Sequence, residues 1–355
     1  MYQPGLKGVV ACETMLSNID GERGILTYRG EDIQYIVNNY SFEQVAYFLL
    51  HGNYPNNNEL NLFIKKLKDF RTIPANIKEI IDRLSPEHSL MDTLRTAISA
   101  LTLDKHSDLD NAIHLIAVTP AIIAYRYRQM NNLPNITADY ELDHVPNFLH
   151  ILTDNVNTSH AKMLEVYLIM TMEHSLNAST FAARVTISTQ SDIVSAITSA
   201  IGTMKGPLHG GAPSGVIQLL EEIGSEDNIS KVIHTKLENK ERIMGFGHRV
   251  YKTLDPRAEA LKTTIMSLES KPDWIELALK TEKETIRILS KYKPNQKLYT
   301  NVEYYAAAIM KSLDIDSELF TPIFSSSRIV GWCAHAIEQK NNNVIFRPAA
   351  KYTGN

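Results

Sequence analysis

Three short segments far apart in the chain carry histidine, carboxylate and fixed cations on backbone kept open by glycine and proline. They are Gly206-Pro207-Leu208-His209-Gly210-Gly211-Ala212-Pro213-Ser214, then Gly245-Phe246-Gly247-His248-Arg249-Val250-Tyr251-Lys252 running on to Asp255-Pro256-Arg257, then Asn301-Val302-Glu303-Tyr304-Tyr305. Two imidazoles, a carboxylate and nearby cations suit carbon-acid chemistry, in which a base removes a proton beside a carbonyl and hydrogen-bond donors stabilise the enolate. Glycines around His209 allow a ligand to approach the backbone closely. No Gly-Lys-Ser/Thr follows them, so a nucleotide-gripping loop of the Walker kind is disfavoured.

Each residue also has a plainer reading. Asp255-Pro256 fits a helix N-cap followed by proline at the first helical position, which puts Arg257 in the first turn. A cation there opposes the helix dipole by a few tenths of a kcal/mol, about 0.3 or more, a cost that makes sense at an anion site. Glu303 reads equally as a partly desolvated base or as the first-turn acid of a helix. His174 looks like a hydrogen-bonded core histidine at the end of a helix running from Ala161 to Met172. Arg328 and Arg347 could be ordinary surface cations. With Arg257 they could instead grip a dicarboxylate through paired hydrogen bonds. No His-Glu-x-x-His is present and the two cysteines, Cys12 and Cys333, lie far apart, so no metal site is expected.

These groups need a scaffold, and the rest of the chain supplies helices. At 355 residues and 44% hydrophobic, it can bury one large core or two. Gly8-Val9-Val10-Ala11 and Gly24-Ile25-Leu26-Thr27-Tyr28, separated by Asn18-Ile19-Asp20-Gly21, read as a small β-hairpin. From Ser41-Phe42-Glu43-Gln44, a capping box, the pattern turns helical. Apolar spacings of three and four predict helices at about 57–70, 75–84, 90–103, 109–129, 138–153 and 158–177, with Pro120 kinking or dividing the fourth. Residues 129–139 read as an exposed loop and 191–204 as a buried helix. Between 217 and 320 the helices become more charged, which suggests a second, smaller lobe. A net charge of −4, without Lys/Arg-rich blocks, points away from nucleic acid and anionic membrane. Low cysteine use and the lack of a visible signal peptide make a cytoplasmic location the expectation.

The three motifs, together with Ser17-Asn18-Ile19-Asp20-Gly21, Tyr28-Arg29-Gly30, Glu173-His174-Ser175-Leu176-Asn177-Ala178-Ser179-Thr180, Arg347-Pro348 and Tyr352-Thr353-Gly354, resemble the citrate synthase family in its short bacterial and archaeal form. The likeness runs in order along essentially the whole chain. It implies an all-α homodimer of two-domain subunits: a large domain of residues 1–212 and 321–355, and a small domain of 213–320. It also implies a short extension beyond Gly354. By the resemblance, the reaction is condensation of acetyl-CoA with oxaloacetate and water to citrate and CoA. Acetyl-CoA is then a co-substrate, with no tightly bound cofactor and no metal. Propionyl-CoA, giving 2-methylcitrate, is the close alternative, and a non-catalytic paralogue that binds oxaloacetate or CoA the more distant one.

Position by position, the resemblance makes His209 the donor to the thioester oxygen and His248 the donor to the oxaloacetate carbonyl. His174, Arg257 and Arg328 would hold oxaloacetate, and Arg347 would reach the partner subunit's site. Lys252 would lie near the CoA phosphates and Gly245-Phe246-Gly247 near the adenine. One residue departs: Glu303 stands where the family usually has the aspartate base. Its extra methylene shifts the carboxylate by about 1 Å, a displacement that can cost about a hundredfold in rate.

Overall fold

Capping side chains set the start of many of the helices, among them those at Ser41, Asn56, Asn177, Asp255 and Asn301. The computed structural model describes residues 2–103, 107–210, 212–248, 250–267, 273–296 and 298–354, without the side chains of 212–214 and 273. Gly211 and Arg249 of the sequence motifs therefore lie outside the described residues. At the N-terminal end β1 (Ser17–Asp20), β2 (Ile25–Tyr28) and β3 (Glu31–Asp32) form an antiparallel sheet with Ser17 opposite Tyr28 and Tyr28 opposite Glu31. This corrects the expected hairpin. The segment read as its turn is the first strand, and Gly8–Ala11 forms no strand and is largely exposed, Val10 by 86%. The reason is Asp20, whose Oδ1 accepts the N–H groups of Glu22 and Arg23 and so starts the turn after residue 20, not before it.

The helices then follow in chain order. The first group is α1 (Ile33–Asn39), α2 (Phe42–His51), α3 (Asn57–Phe70), α4 (Ala75–Arg83), α5 (Leu90–Ser99), α6 (Asp108–Met130), α7 (His144–Thr153) and α8 (Thr158–Thr171). The second is α9 (Ala178–Ser188), α10 (Ile193–Met204), α11 (Ala212–Ile223), α12 (Ile229–Glu238), α13 (Pro256–Met266), α14 (Asp273–Tyr292), α15 (Val302–Ser312) and α16 (Phe320–Asn341). The capping box at Ser41 and Gln44 is formed with both of its hydrogen bonds. The helices predicted at 90–103 and 158–177 end early, at Ser99 and Thr171, because apolar spacing continues past the point where backbone pairing stops, and the one predicted at 138–153 begins only at His144. For function the one that matters is α8, which ends at Thr171 and leaves His174 on a non-helical connection. Pro120 does not divide α6. The Thr119 hydroxyl bonds the Leu115 carbonyl at 2.7 Å, and both residues sit in the core where packing outweighs the lost N–H.

Most buried side chains form one core in which α16 runs through the middle, in contact with α2, α5, α6, α8, α9 and α10. A second, smaller core gathers Leu219, Ile223, Ile233, Leu237, Ile288 and Leu289 from α11, α12 and α14. Phe246 packs against both. The fold is all-α with two domains, as the helical patterning predicted.

The turn between β1 and β2 braces a functional loop. Gly21 accepts the Lys252 backbone N–H at 2.8 Å, and a Cβ at Gly21 would lie 2.3 Å from the Val250 carbonyl oxygen. A Gly21→Ala variant must push the two backbones apart. A loss of about 1–3 kcal/mol is expected from such overpacking. Chemical denaturation checks it, and a midpoint equal to wild type would show that the contact is loose.

Candidate active site

The His209 loop, described over 205–210, turns back on itself through hydrogen bonds from the N–H groups of His209 and Gly210 to the Gly206 carbonyl. It fits against α10 and α16 only because Gly210 lacks a side chain. A Cβ there would lie 2.4 Å from the Met204 carbonyl oxygen, and Thr321 bonds the Gly210 carbonyl. The ring Nε2 of His209 meets the Ser179 hydroxyl at 2.8 Å and the Ser179 N–H at 3.3 Å. Ser179 is in the first turn of α9, capped by Asn177, so its N–H belongs to the positive end of a helix. Burial, and then the Arg328 charge, push the His209 imidazole down to about 4, which keeps it neutral. With Nε2 accepting, the proton resides on Nδ1, and that N–H is the group His209 can offer a substrate oxygen.

His248 is set the opposite way. Its Nδ1 accepts the backbone N–H groups of Val250 and Tyr251 at 3.0 and 3.1 Å. Burial, followed by Arg257, lowers this ring to about 4 as well. The neutral ring therefore carries its proton on Nε2, which lies 3.4 Å from Arg257 Nη2. Two donors this close can share one oxygen acceptor set against both from the same side. An anionic carbonyl compound supplies such an oxygen.

Arg257 occupies the first turn of α13 and is 3% exposed. Asp255 is both the N-cap, taking the Arg257 N–H at 3.0 Å, and the counter-ion, taking Nη2 at 2.8 Å. The same carboxylate accepts the Val302 N–H at 3.1 Å, tying α13 to the start of α15. Arg328, on α16, is 2% exposed; its Nε bonds the Thr171 carbonyl at 2.7 Å and its guanidinium lies over the Phe324 ring. His174 meets the Tyr251 hydroxyl at 3.1 Å, and its ring stands edge-on to His248 with centroids 5.8 Å apart. Burial, with Arg257 and Arg328 nearby, holds His174 well below its usual pKa.

Glu303 follows the N-cap Asn301, whose side chain takes the Glu303 N–H at 3.1 Å. Among the described residues its carboxyl group accepts no hydrogen bond. Burial, with Asp255 adding to it and Arg257 and Arg328 opposing, pushes it up to about 7. The 245–247 loop pairs with 299–301 through Gly247 N–H to the Tyr299 carbonyl and Asn301 N–H to the Gly245 carbonyl. Gly245 has φ of 82° and packs so tightly that a Cβ would lie 2.8 Å from the Tyr304 ring. Phe246 stands edge-on to Tyr304.

The fold thus brings His174, His209, His248, Arg257, Arg328 and Glu303 into one electrostatically coupled group. Lys252 is exposed beside it, anchored by its backbone to Gly21. Arg347 is not brought in: it is exposed on the C-terminal segment and shares no hydrogen bond or ion pair with these groups among the described residues. Sequence reasoning assigned no role to Tyr251 or Ser179. Both sit inside quoted motifs, but nothing in their spacing reveals a histidine partner 77 or 30 positions away. The expectation of no metal rests on the donor types and their spacing; no cluster of metal-ligating side chains occurs among the described residues.

The likeness to known proteins matches this geometry. Residues 5–349 match the family described as citrate synthase, C-terminal domain. The chain is 42% identical to citrate synthase 2 of Bacillus subtilis over 99% of this chain and 95% of that one. It is 38% identical to a 2-methylcitrate synthase of Shewanella oneidensis, with coverage of 99% and 94%. Among solved structures, citrate synthase from Thermotoga maritima superposes with a TM-score of 0.91 at 38% identity, covering 100% of this chain and 96% of that one. The ternary complex of Thermoplasma acidophilum citrate synthase with carboxymethyl coenzyme A and oxaloacetate does so at 0.91 and 31%, with coverage of 100% and 97%. With matches that run the length of the chain and a clustered set of imidazoles, guanidinium groups and a carboxyl group, the chain belongs to the citrate synthase family.

Proposed function

We propose that the protein condenses acetyl-CoA with oxaloacetate and then hydrolyses the citryl thioester to citrate and CoA. One observation carries this reading: two neutral imidazoles with fixed, opposite tautomers share the neighbouring guanidinium groups of Arg257 and Arg328 with a carboxyl group that accepts no hydrogen bond among the described residues. Glu303 takes the methyl proton of the acyl group. His209, through Nδ1–H, donates to the thioester oxygen as charge gathers there. His248, through Nε2–H, polarises the ketone of oxaloacetate, whose carboxylates pair with Arg257 and Arg328 and which also meets His174. Each donor is oriented before substrate arrives, so little reorganisation is needed as the enolate forms.

CoA lies along Lys252 and the Gly245-Phe246-Gly247 loop in this reading. Residues 213–320 act as the smaller domain over the rest of the chain, and its closure expels water from the reacting atoms. The active unit is a homodimer in which Arg347 completes the neighbouring subunit's site. Among the described residues no helix is long and apolar enough to cross a membrane; a cytoplasmic location is proposed.

Propionyl-CoA is the second acyl donor to test, because relatives of similar identity include a 2-methylcitrate synthase and a citrate/2-methylcitrate synthase. One methylene in an apolar pocket discriminates by only about 1–3 kcal/mol. Thiol release should be measured with oxaloacetate and each acyl-CoA in turn. The expected result is turnover with acetyl-CoA at the higher kcat/KM. A propionyl preference would reassign the protein to 2-methylcitrate synthesis. Release at background level, with oxaloacetate still bound, would reveal a non-catalytic binder.

A further inference from the structure

A chain of buried ionisable side chains leads away from the site, and the condensation as described uses only its first member. α16 presents Arg328, Gly331, His335 and Gln339, spaced by three and four residues, toward the stretch that runs from the end of α8 through α9. Arg328, Glu173, His335 and Arg184 are each 2% exposed or less. Arg184 Nε donates to His335 Nδ1 at 2.9 Å, so His335 presents Nε2–H to Glu173 Oε1, also at 2.9 Å. Beyond Arg184 the chain ends on Gln339, at 2.9 Å, and on Glu338, which accepts the Met15 N–H at 2.8 Å. The helix can come this close only at Gly331, where a Cβ would lie 2.4 Å from Glu173 Oε2.

The near end of the chain grips the two neighbours of His174. Glu173 Oε1 also accepts the Ser17 hydroxyl, and Ser17 in turn accepts the Ser175 N–H, each at 2.9 Å. Tyr28 holds the Glu173 main chain from the other side, accepting its N–H at 3.0 Å. His174 needs such support because it lies between helices, on a connection where Ser175 adopts a left-handed φ of 50°. Buried charged groups are a poor means of gaining stability, since well-packed apolar residues usually do as well. Their value here is in holding one backbone geometry.

We infer that His335 is a positioning residue: through the Glu173 carboxylate it fixes the turn that presents His174 to oxaloacetate. This rests on the proposed contact of His174 with that substrate. Calorimetric titration of oxaloacetate, and separately of CoA, into the full-length protein tests it. His335→Leu removes the donor to Glu173; His335→Gln puts an amide donor back in its place. The Leu variant is expected to bind oxaloacetate about tenfold more weakly, the scale of one charge-assisted hydrogen bond, with CoA affinity within about twofold. The Gln variant should recover most of that loss. A general loss of folded protein would reduce the number of sites for both ligands and leave both affinities unchanged.

Ser17→Ala gives a milder arm that removes one neutral donor to Glu173 and leaves His335 in place, with an expected weakening of about threefold to fivefold. Wild-type affinity for oxaloacetate in both His335→Leu and Ser17→Ala overturns the inference, as does an equal loss of affinity for CoA. If His335→Leu does not fold, Ser17→Ala alone decides. Failure of the wild-type protein to bind oxaloacetate would instead refute the assignment of the site, so the two failures are told apart.

Discussion

Glu303→Gln is expected to lower kcat by about 10²–10⁴-fold, the range over which a positioned general base acts. The amide keeps the size of the side chain but cannot accept the methyl proton. Arg257, Arg328 and His248 are untouched, so the dissociation constant of oxaloacetate should stay within about twofold. The same group sets a pH dependence. Its pKa is raised to about 7, and the reactive form is the carboxylate, which is lost as pH falls. The kcat/KM should therefore fall about tenfold per pH unit below that value and level off above it. Steady-state assays that give kcat and kcat/KM, run from pH 5.5 to 9, check both points. Persistent turnover in the Gln variant, or a flat profile through neutrality, would remove Glu303 from the base role. Glu303→Asp completes the series. If it is faster than wild type, the longer side chain is what limits the native protein.

Asp255→Ala is expected to lower folding stability by about 3–5 kcal/mol, the scale seen when one partner of a buried ion pair is removed. Four hydrogen bonds vanish together. Arg257 is left as an uncompensated buried cation, α13 loses its N-cap, and the Val302 N–H at the start of α15 loses its acceptor. Asp255→Asn separates these effects. Asparagine caps a helix about as well as aspartate, so its one oxygen keeps the Arg257 N–H, while its NH2 cannot accept the Val302 N–H and the charge is lost. The Ala variant should be the less stable of the two by about 1 kcal/mol, the usual worth of a cap. Both should bind oxaloacetate more weakly, because Arg257 is no longer held beside His248. Denaturant unfolding with oxaloacetate titration checks the pair, and equal stability of the Ala variant and wild type would contradict it.

Much of this was legible in the chain because the information was local. The capping box at Ser41, the N-cap at Asp255 and the boundaries of α3 each depend on side chains within a few positions. The three motifs announced themselves through glycine, histidine and proline in short runs. What failed or stayed hidden depended on contacts across the molecule. The first strand was misplaced because Asn18-Ile19-Asp20-Gly21 has turn composition, whereas the decisive bond is from Asp20 forward to residues 22 and 23. α8 was read through His174 because apolar spacing persisted past the last backbone pairing. The tautomers of His209 and His248 follow from Ser179 and from two backbone N–H groups, and no spacing rule discloses them. His335 drew no attention in the sequence, and only the fold places it against Glu173.

The short ladder between residues 245–247 and 299–301 has a consequence for timing. It welds the loop that ends in His248 to the turn that begins the helix bearing Glu303, so a movement of either segment drags the other along. His248 and Glu303 are therefore held as one piece, while His174 and His209 sit on separate connections between helices and Arg328 on α16. A displacement of this ladder shifts His248 and Glu303 at the same moment and keeps the spacing between them.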